Sequence, residues 1–254
     1  MMIGRKIECR IEDKVAMISI GTPPGDRTAL ADLAASLADT CQAIASESGI
    51  NVVTLTGGKD AFHLGEIQDC ALLPGGEGTG ISLAAAVSNL DCPIIAGVDG
   101  RITGPGLELV LACDIRLAAS GSSFCLPQLL VGQLPCDGGT QRLSRTVGKA
   151  KALEMILLGQ VIEGEEALRI GLINRLVDAR DLIATTGEIA RKMALQAPFS
   201  MKYAKEAICQ GMEMNIHQGL RLEADLYFLL HTTGDRREGI EAFQEKRKPQ
   251  FKGE

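Results

Sequence analysis

The stretch Cys92–Cys113 constrains the fold more tightly than any other. Cys92-Pro-Ile-Ile-Ala-Gly-Val98 is an apolar run that reads as a buried strand, and Leu109–Cys113 reads as the continuation of an apolar helix. Between them lies Gly100-Arg-Ile-Thr-Gly-Pro-Gly-Leu-Glu108. Glycines at 100, 104 and 106 let the backbone reverse sharply and come close to a ligand. Pro105 suits the first position of a helix. The helix start turns unpaired N–H groups and a positive dipole end toward whatever lies there, and Glu108 falls in its first turn. On these residues alone two readings stay open: a place that holds an oxyanion and a base together, or a tight strand-to-helix turn with an acid at the helix start.

The rest of the chain alternates strand and helix. Ile7–Arg10 and Val15–Ile20 alternate around Glu12-Asp13-Lys14 and read as a hairpin. Thr28–Ser46 has helical spacing, Asn51–Thr56 is a buried strand, Leu73–Gly80 is a glycine-rich loop and Ile81–Leu90 a helix. Asp114–Ala118 and Ser123–Cys125 are short strands. This order implies an α/β core with a mostly parallel sheet and right-handed crossovers. After Gly138 the pattern becomes helical: Gly138–Val147, Lys149–Leu158, Gly164–Ile170, Ala179–Leu195, Met201–Gln210, Ile216–His231 and Arg236–Lys246. The reading divides the chain into an α/β core over 1–195 and a helical C-terminal region over 196–254.

Composition narrows the function. With no Trp, two Tyr and a formal charge of -6, the chain lacks the stacking groups and basic surface of a nucleic-acid binder, so no nucleic-acid partner is expected. Its eight cysteines form no C-x-x-C pair. Cys92, Cys113, Cys125 and Cys209 lie in apolar or helical runs and read as small buried hydrophobes in a reducing compartment. His63, His217 and His231 show no ligand spacing, so no metal is expected. The N-terminus lacks a signal-peptide core and no apolar run is long enough to span a bilayer, so the expectation is a soluble cytoplasmic protein without a membrane partner.

Six segments together resemble the crotonase family, the enoyl-CoA hydratases and isomerases. They are Asn51–Gln68, Cys92–Ala118, Pro135–Leu143, Gly148–Glu154, Glu165–Leu172, and Asp235–Gly239 with Phe243–Lys248. The resemblance runs over nearly the whole chain in one order. It implies a ββα superhelix with a helical C-terminal trimerisation region, and homotrimers or hexamers built as dimers of trimers. It implies a substrate carried as a coenzyme A thioester, with coenzyme A entering as part of the substrate and no separate cofactor. The shared chemistry is an enolate whose oxygen is held by two backbone N–H groups, each worth a few kcal/mol of barrier in comparable sites.

The resemblance carries over residue by residue. The first oxyanion N–H falls on Glu66, whose side chain is larger and more acidic than the usual residue; it either turns to solvent or sits beside the enolate. The second falls on Pro105, which has no N–H, so Gly106 takes over or Glu66 acts alone. Glu108 aligns with the first catalytic glutamate of the hydratases. The second glutamate position holds Gln128, a neutral amide that can orient a water or substrate and cannot exchange protons. Asp137 aligns with a proton-moving aspartate of a dienoyl-CoA isomerase branch, with a helix N-cap as the other reading. Coenzyme A contacts fall on Arg27 and Ala29, where Thr28 replaces the usual Asn, on His63 and Leu64, and on Lys246 in the basic tail, which is otherwise a solvated charge cluster. His231 aligns near the reacting end of the pocket and is otherwise structural.

Overall fold

The computed structural model describes residues 7–21, 27–64 and 82–254. Strands β1 (Ile7–Glu12) and β2 (Val15–Ile20) form the expected antiparallel hairpin. Asp13 and Lys14 between them both take positive φ, 48° and 66°, the two-residue geometry that matches strand twist. Helix α1 (Arg27–Ser46) leads to β3 (Val52–Gly57), then α2 (Leu83–Ser88) and β4 (Ile94–Val98). The chain continues through β5 (Arg101–Thr103), α3 (Pro105–Leu111), β6 (Ile115–Ala119) and β7 (Ser123–Cys125). Beyond these come α4 (Gly139–Val147), α5 (Lys149–Leu158), β8 (Ile162–Glu163), α6 (Gly164–Arg169) and β9 (Arg175–Val177). Helices α7 (Leu182–Ala194), α8 (Pro198–Gly211), α9 (Ile216–Leu230) and α10 (Gly234–Gln244) close the chain.

The main sheet has the order β1-β2-β3-β4-β6-β9 and is parallel from β2 onward. A small second sheet runs β5-β7-β8. Each long crossover therefore makes the same excursion. A main-sheet strand is followed by a short segment that belongs to the second layer, and then by a helix: β4, β5, α3 in one turn of chain and β6, β7, α4 in the next. The turn after β3 makes a one-residue version, in which His63 bridges to Thr103. This repetition is the ββα superhelix, and it stacks the starts of α3 and α4 beside one another.

Both faces of the sheet are covered, which is why its central strands are continuously apolar rather than alternating. In β4 all five residues are buried. Ile94, Ala96 and Val98 face a core shared with α1 to α5, whereas Ile95 joins Val52, Leu117 and the α7 residues Leu182 and Ala190 on the other face.

Three short strands depart from the sequence reading. Arg101–Thr103 lies inside what reads as a continuous turn, and Ile162–Glu163 and Arg175–Val177 lie in the run that reads as helical. Strands of two or three residues are too short to establish an alternation, so nothing local announces them. The helix read over Ala179–Leu195 begins as a 3-10 turn at Ala179–Asp181. Of the cysteines read as buried, Cys113 and Cys125 are, Cys92 is half-buried, and Cys209 is exposed on α8. No described helix is long and apolar enough to cross a membrane.

The C-terminal helices have a different character. Helix α8 has no fully buried residue and α9 has only Leu226. Ile208, Met212, Leu220, Phe228 and Phe243 are exposed, Phe243 to 85%.

Candidate active site

Glu108 is the centre of the site. Gly104 caps the start of α3 with φ 52° and ψ -125°, and Pro105 occupies the first turn, as the sequence suggests. These residues put Glu108 one turn into a helix whose every residue is buried. The Glu108 side chain emerges between the starts of α3 and α4. Its Oε1 accepts hydrogen bonds from Asp137 N at 2.7 Å and Gly139 N at 2.9 Å. Its Oε2 accepts a longer one, 3.3 Å, from Gln128 Nε2. Glu108 is 1% exposed. Loss of water outweighs the two backbone donors and pushes its pKa from the ordinary carboxylate range up to about 7; the nearby Asp137 raises it further and Arg142 lowers it. A buried acid that titrates near neutrality can give and take protons at physiological pH.

Gln128 begins a 3-10 turn, Gln128–Val131, and is 2% exposed. Its Nε2 serves Glu108, and its Oε1 is buried with no hydrogen-bond partner among the described residues. A buried amide oxygen left unpaired costs free energy, so this atom is a natural acceptor for a bound donor such as water or a substrate hydroxyl.

Asp137 corrects one expectation. It does not cap α4: the capping position is Gly138, at φ 92°, with no side-chain hydrogen bond. Asp137 instead reaches to the start of α2, where Oδ1 accepts from the Ser82 hydroxyl and Oδ2 from Ala84 N at 2.9 Å. The carboxylate complements the positive end of that helix, 53 residues away in sequence.

Gly106 lies against the turn after β3. A Cβ at this position would fall 1.8 Å from the carbonyl oxygen of Phe62, so only glycine permits the approach. Gly139 is under a milder constraint: a Cβ there would fall 2.9 Å from Glu108 Oε1 and from Pro135 Cβ, side-chain atoms that would have to shift. The Gly106 and Leu107 N–H groups make no hydrogen bond to the described residues. His63 Nδ1 and Thr103 Oγ1 are 2.6 Å apart, and Thr103 N donates to Phe62 O at 3.3 Å, which ties the two turns together. Leu64 is fully buried.

The geometry thus gathers Glu108, Gln128, Asp137, Pro105, Gly106, His63 and Leu64 around two neighbouring turns. Lys246 lies elsewhere, exposed in the turn after α10 with φ 55°. His231 ends α9 and packs against Tyr227, with ring centroids 4.8 Å apart. Arg27 and Ala29 start α1, where their side chains are not described, and Glu66 lies outside the described residues. Gly139, a donor to Glu108, is announced in the sequence only by the Gly138-Gly139 pair.

The enoyl-CoA hydratase/isomerase family matches residues 10–254. The 2,3-dehydroadipyl-CoA hydratase of Escherichia coli is 34% identical over 246 residues, covering 95% of this chain and 96% of that protein. The short-chain-enoyl-CoA hydratase of Clostridium acetobutylicum is 36% identical over 244 residues, covering 93% and 94%. The crystal structure of an enoyl-CoA hydratase from Bacillus anthracis superposes with a TM-score of 0.84 at 32% identity, covering 98% of this chain and all of that one (100%). The fold is that of the crotonases, and the chain belongs to the enoyl-CoA hydratase/isomerase family.

Proposed function

We propose that this enzyme moves a proton on an acyl-CoA through an enolate, using Glu108 as its single proton-exchanging carboxyl, and that it hydrates 2-enoyl-CoA slowly. Glu108 takes a proton from the carbon next to the thioester carbonyl. The electron pair moves onto the carbonyl oxygen, and the carboxyl returns the proton further along the acyl chain. The Gly106 N–H, with that of Glu66, holds the oxyanion in place of the Pro105 position. Gln128 orients a water or a substrate group. Decarboxylation to the same enolate would use the same groups, and the thioester could also be carried on a carrier protein.

The observation that carries this reading is the pairing of Glu108, buried and titrating at about 7, with a neutral amide at 3.3 Å where hydration chemistry needs a second carboxyl. Pro105 and Gln128 also favour a second reading, a catalytically weakened paralogue that binds coenzyme A thioesters. The exposed apolar faces of α8 to α10 support assembly into trimers or hexamers, with Lys246 meeting coenzyme A of a neighbouring subunit and Arg27, Ala29, His63 and Leu64 contributing within the chain. No separate cofactor or metal enters this reading, and the cytoplasm is its proposed setting.

The test is turnover of crotonyl-CoA and a 3-enoyl-CoA by the native enzyme and by Gln128→Glu. Native enzyme should isomerise the 3-enoyl thioester and hydrate crotonyl-CoA poorly, and Gln128→Glu should hydrate at least about tenfold faster, within the range set by general acid–base catalysis. Fast native hydration that Gln128→Ala leaves unchanged would overturn the proposal. Loss of all turnover with retained thioester binding would favour the paralogue.

A further inference from the structure

Glu108 is fixed by a three-residue turn, Asp137-Gly138-Gly139, and something must in turn fix that turn. Its two inward N–H groups, from Asp137 and Gly139, are spent on Glu108 Oε1. Its outward carbonyl, Asp137 O, accepts a hydrogen bond from Arg142 Nη1 at 2.9 Å. The guanidinium lies directly over Gly138: a Cβ there would fall 2.1 Å from Nη1. Asp137 is anchored separately, through its side chain, to Ser82 and Ala84 of α2. The turn is therefore held on three sides, and Arg142 is the one cation among these partners.

We infer that Arg142 is a positioning residue for Glu108. It holds the Asp137–Gly139 turn with its two N–H groups aimed at Glu108 Oε1, and its charge adds to what those donors do for the ionised form of this buried carboxyl. The inference rests on Glu108 being the proton-exchanging group. Among the described residues, the other groups facing Glu108 supply no positive charge. Gln128 from the 3-10 turn is neutral. Asp137 is an acid whose charge disfavours a second anion, and Cys136 is the remaining titratable side chain of the turn before α4. Arg142 is half-buried and borders a cavity of about 380 Å³ on its outer side, so substitutions there meet open space.

The sign does not depend on which proton step Glu108 performs. An adjacent cation favours the charged form of a carboxyl, so removing it raises the pKa. Any limb of the pH profile that belongs to Glu108 must then move to higher pH. The experiment follows Glu108 directly by ¹³C NMR of enzyme labelled at the glutamate side-chain carboxyl, its resonance assigned by its loss in Glu108→Gln. In Arg142→Met the midpoint should rise by at least a few tenths of a pH unit, because the positive charge is lost and the two N–H donors lose the contact that aims them. Arg142→Gln can still donate to Asp137 O and should show a smaller rise. Arg142→Lys, which keeps the charge, should return close to the native midpoint. The corresponding limb of 3-enoyl-CoA turnover should move with it. An unmoved midpoint in Arg142→Gln overturns the inference, and this variant decides alone should Arg142→Met not fold. The titration needs no turnover, so an enzyme inactive on every acyl-CoA would sink the proposed function and leave this measurement standing.

Discussion

Two regions of the molecule hold a buried carboxylate on paired backbone N–H groups, and they do it in opposite ways. At the corner where the C-terminus folds back on α10, Asp235 accepts from Lys252 N at 2.7 Å on one oxygen and from Gly253 N at 2.9 Å on the other. Between α3 and α4, Glu108 receives both backbone donors on Oε1 and leaves Oε2 to a 3.3 Å amide contact. The first arrangement satisfies the anion symmetrically and ties down a chain end. The second stacks its strong donors on one oxygen and leaves the other poorly matched, next to Gln128, whose Oε1 has no partner among the described residues. An anion with a spare oxygen in a water-poor site is suited to pick up a proton, and burial drives its pKa to about 7. The difference is the one expected between a carboxylate that holds structure and the one proposed to move protons, without reference to where either lies in the sequence.

The sharpest way to break this comparison is Glu108→Gln. The amide keeps the shape and can still accept from Asp137 N and Gly139 N, so the fold should persist, while acyl-CoA turnover should fall by roughly a hundred- to ten-thousand-fold. The limb of the native pH profile near 7 should disappear with it. Stability should also respond. The native carboxyl holds its proton up to about 7, whereas an unfolded glutamate, with a model value of 4.5, gives it up earlier. The folded state therefore binds more protons in that window, and stability should fall as pH rises from 4.5 to about 7 and then level off, a slope that chemical denaturation should find missing in Glu108→Gln.

Asp235→Ala tests the other side. It removes two charge-assisted hydrogen bonds at a buried residue, although the Lys252 and Gly253 donors lie near solvent and can turn to water. A loss of about 1–3 kcal/mol is expected, a melting temperature several degrees lower, with kcat near native. A large loss of kcat at unchanged stability would erase the distinction between the two carboxylates.

How much of this is written in the sequence depends on the range of the interaction. The hairpin, the strand before Gly100, the helix start at Pro105 and the place of Glu108 in its first turn all follow from local spacing and backbone preference. Gly106 announces a close approach, although not that Phe62 O is the atom approached. Contacts between distant segments are silent. Gln128 meets Glu108 across 20 residues and Asp137 meets Ala84 across 53, and both depend on how the superhelix stacks its turns. The same distance hides β8 and β9, whose two or three residues owe their strand form to neighbours already in place. An aspartate just before a helix reads locally as that helix's cap, and here the competing demand came from α2.

Asp137 therefore makes the finest test, and the smallest effect. Its alignment suggests a proton carrier, yet both of its oxygens are committed to the start of α2, like those of Asp235 and unlike those of Glu108. Asn at this position can keep one oxygen for Ala84 N and turn its amide to the Ser82 hydroxyl, which can accept in place of donating. The expected cost of Asp137→Asn is about 1 kcal/mol of stability, with kcat lowered less than about tenfold. A proton-moving aspartate would instead lose roughly a hundredfold or more on the same change. Measuring kcat beside the unfolding free energy of this one variant distinguishes the two, because a carboxylate already spent on two donors has no free oxygen to offer a substrate.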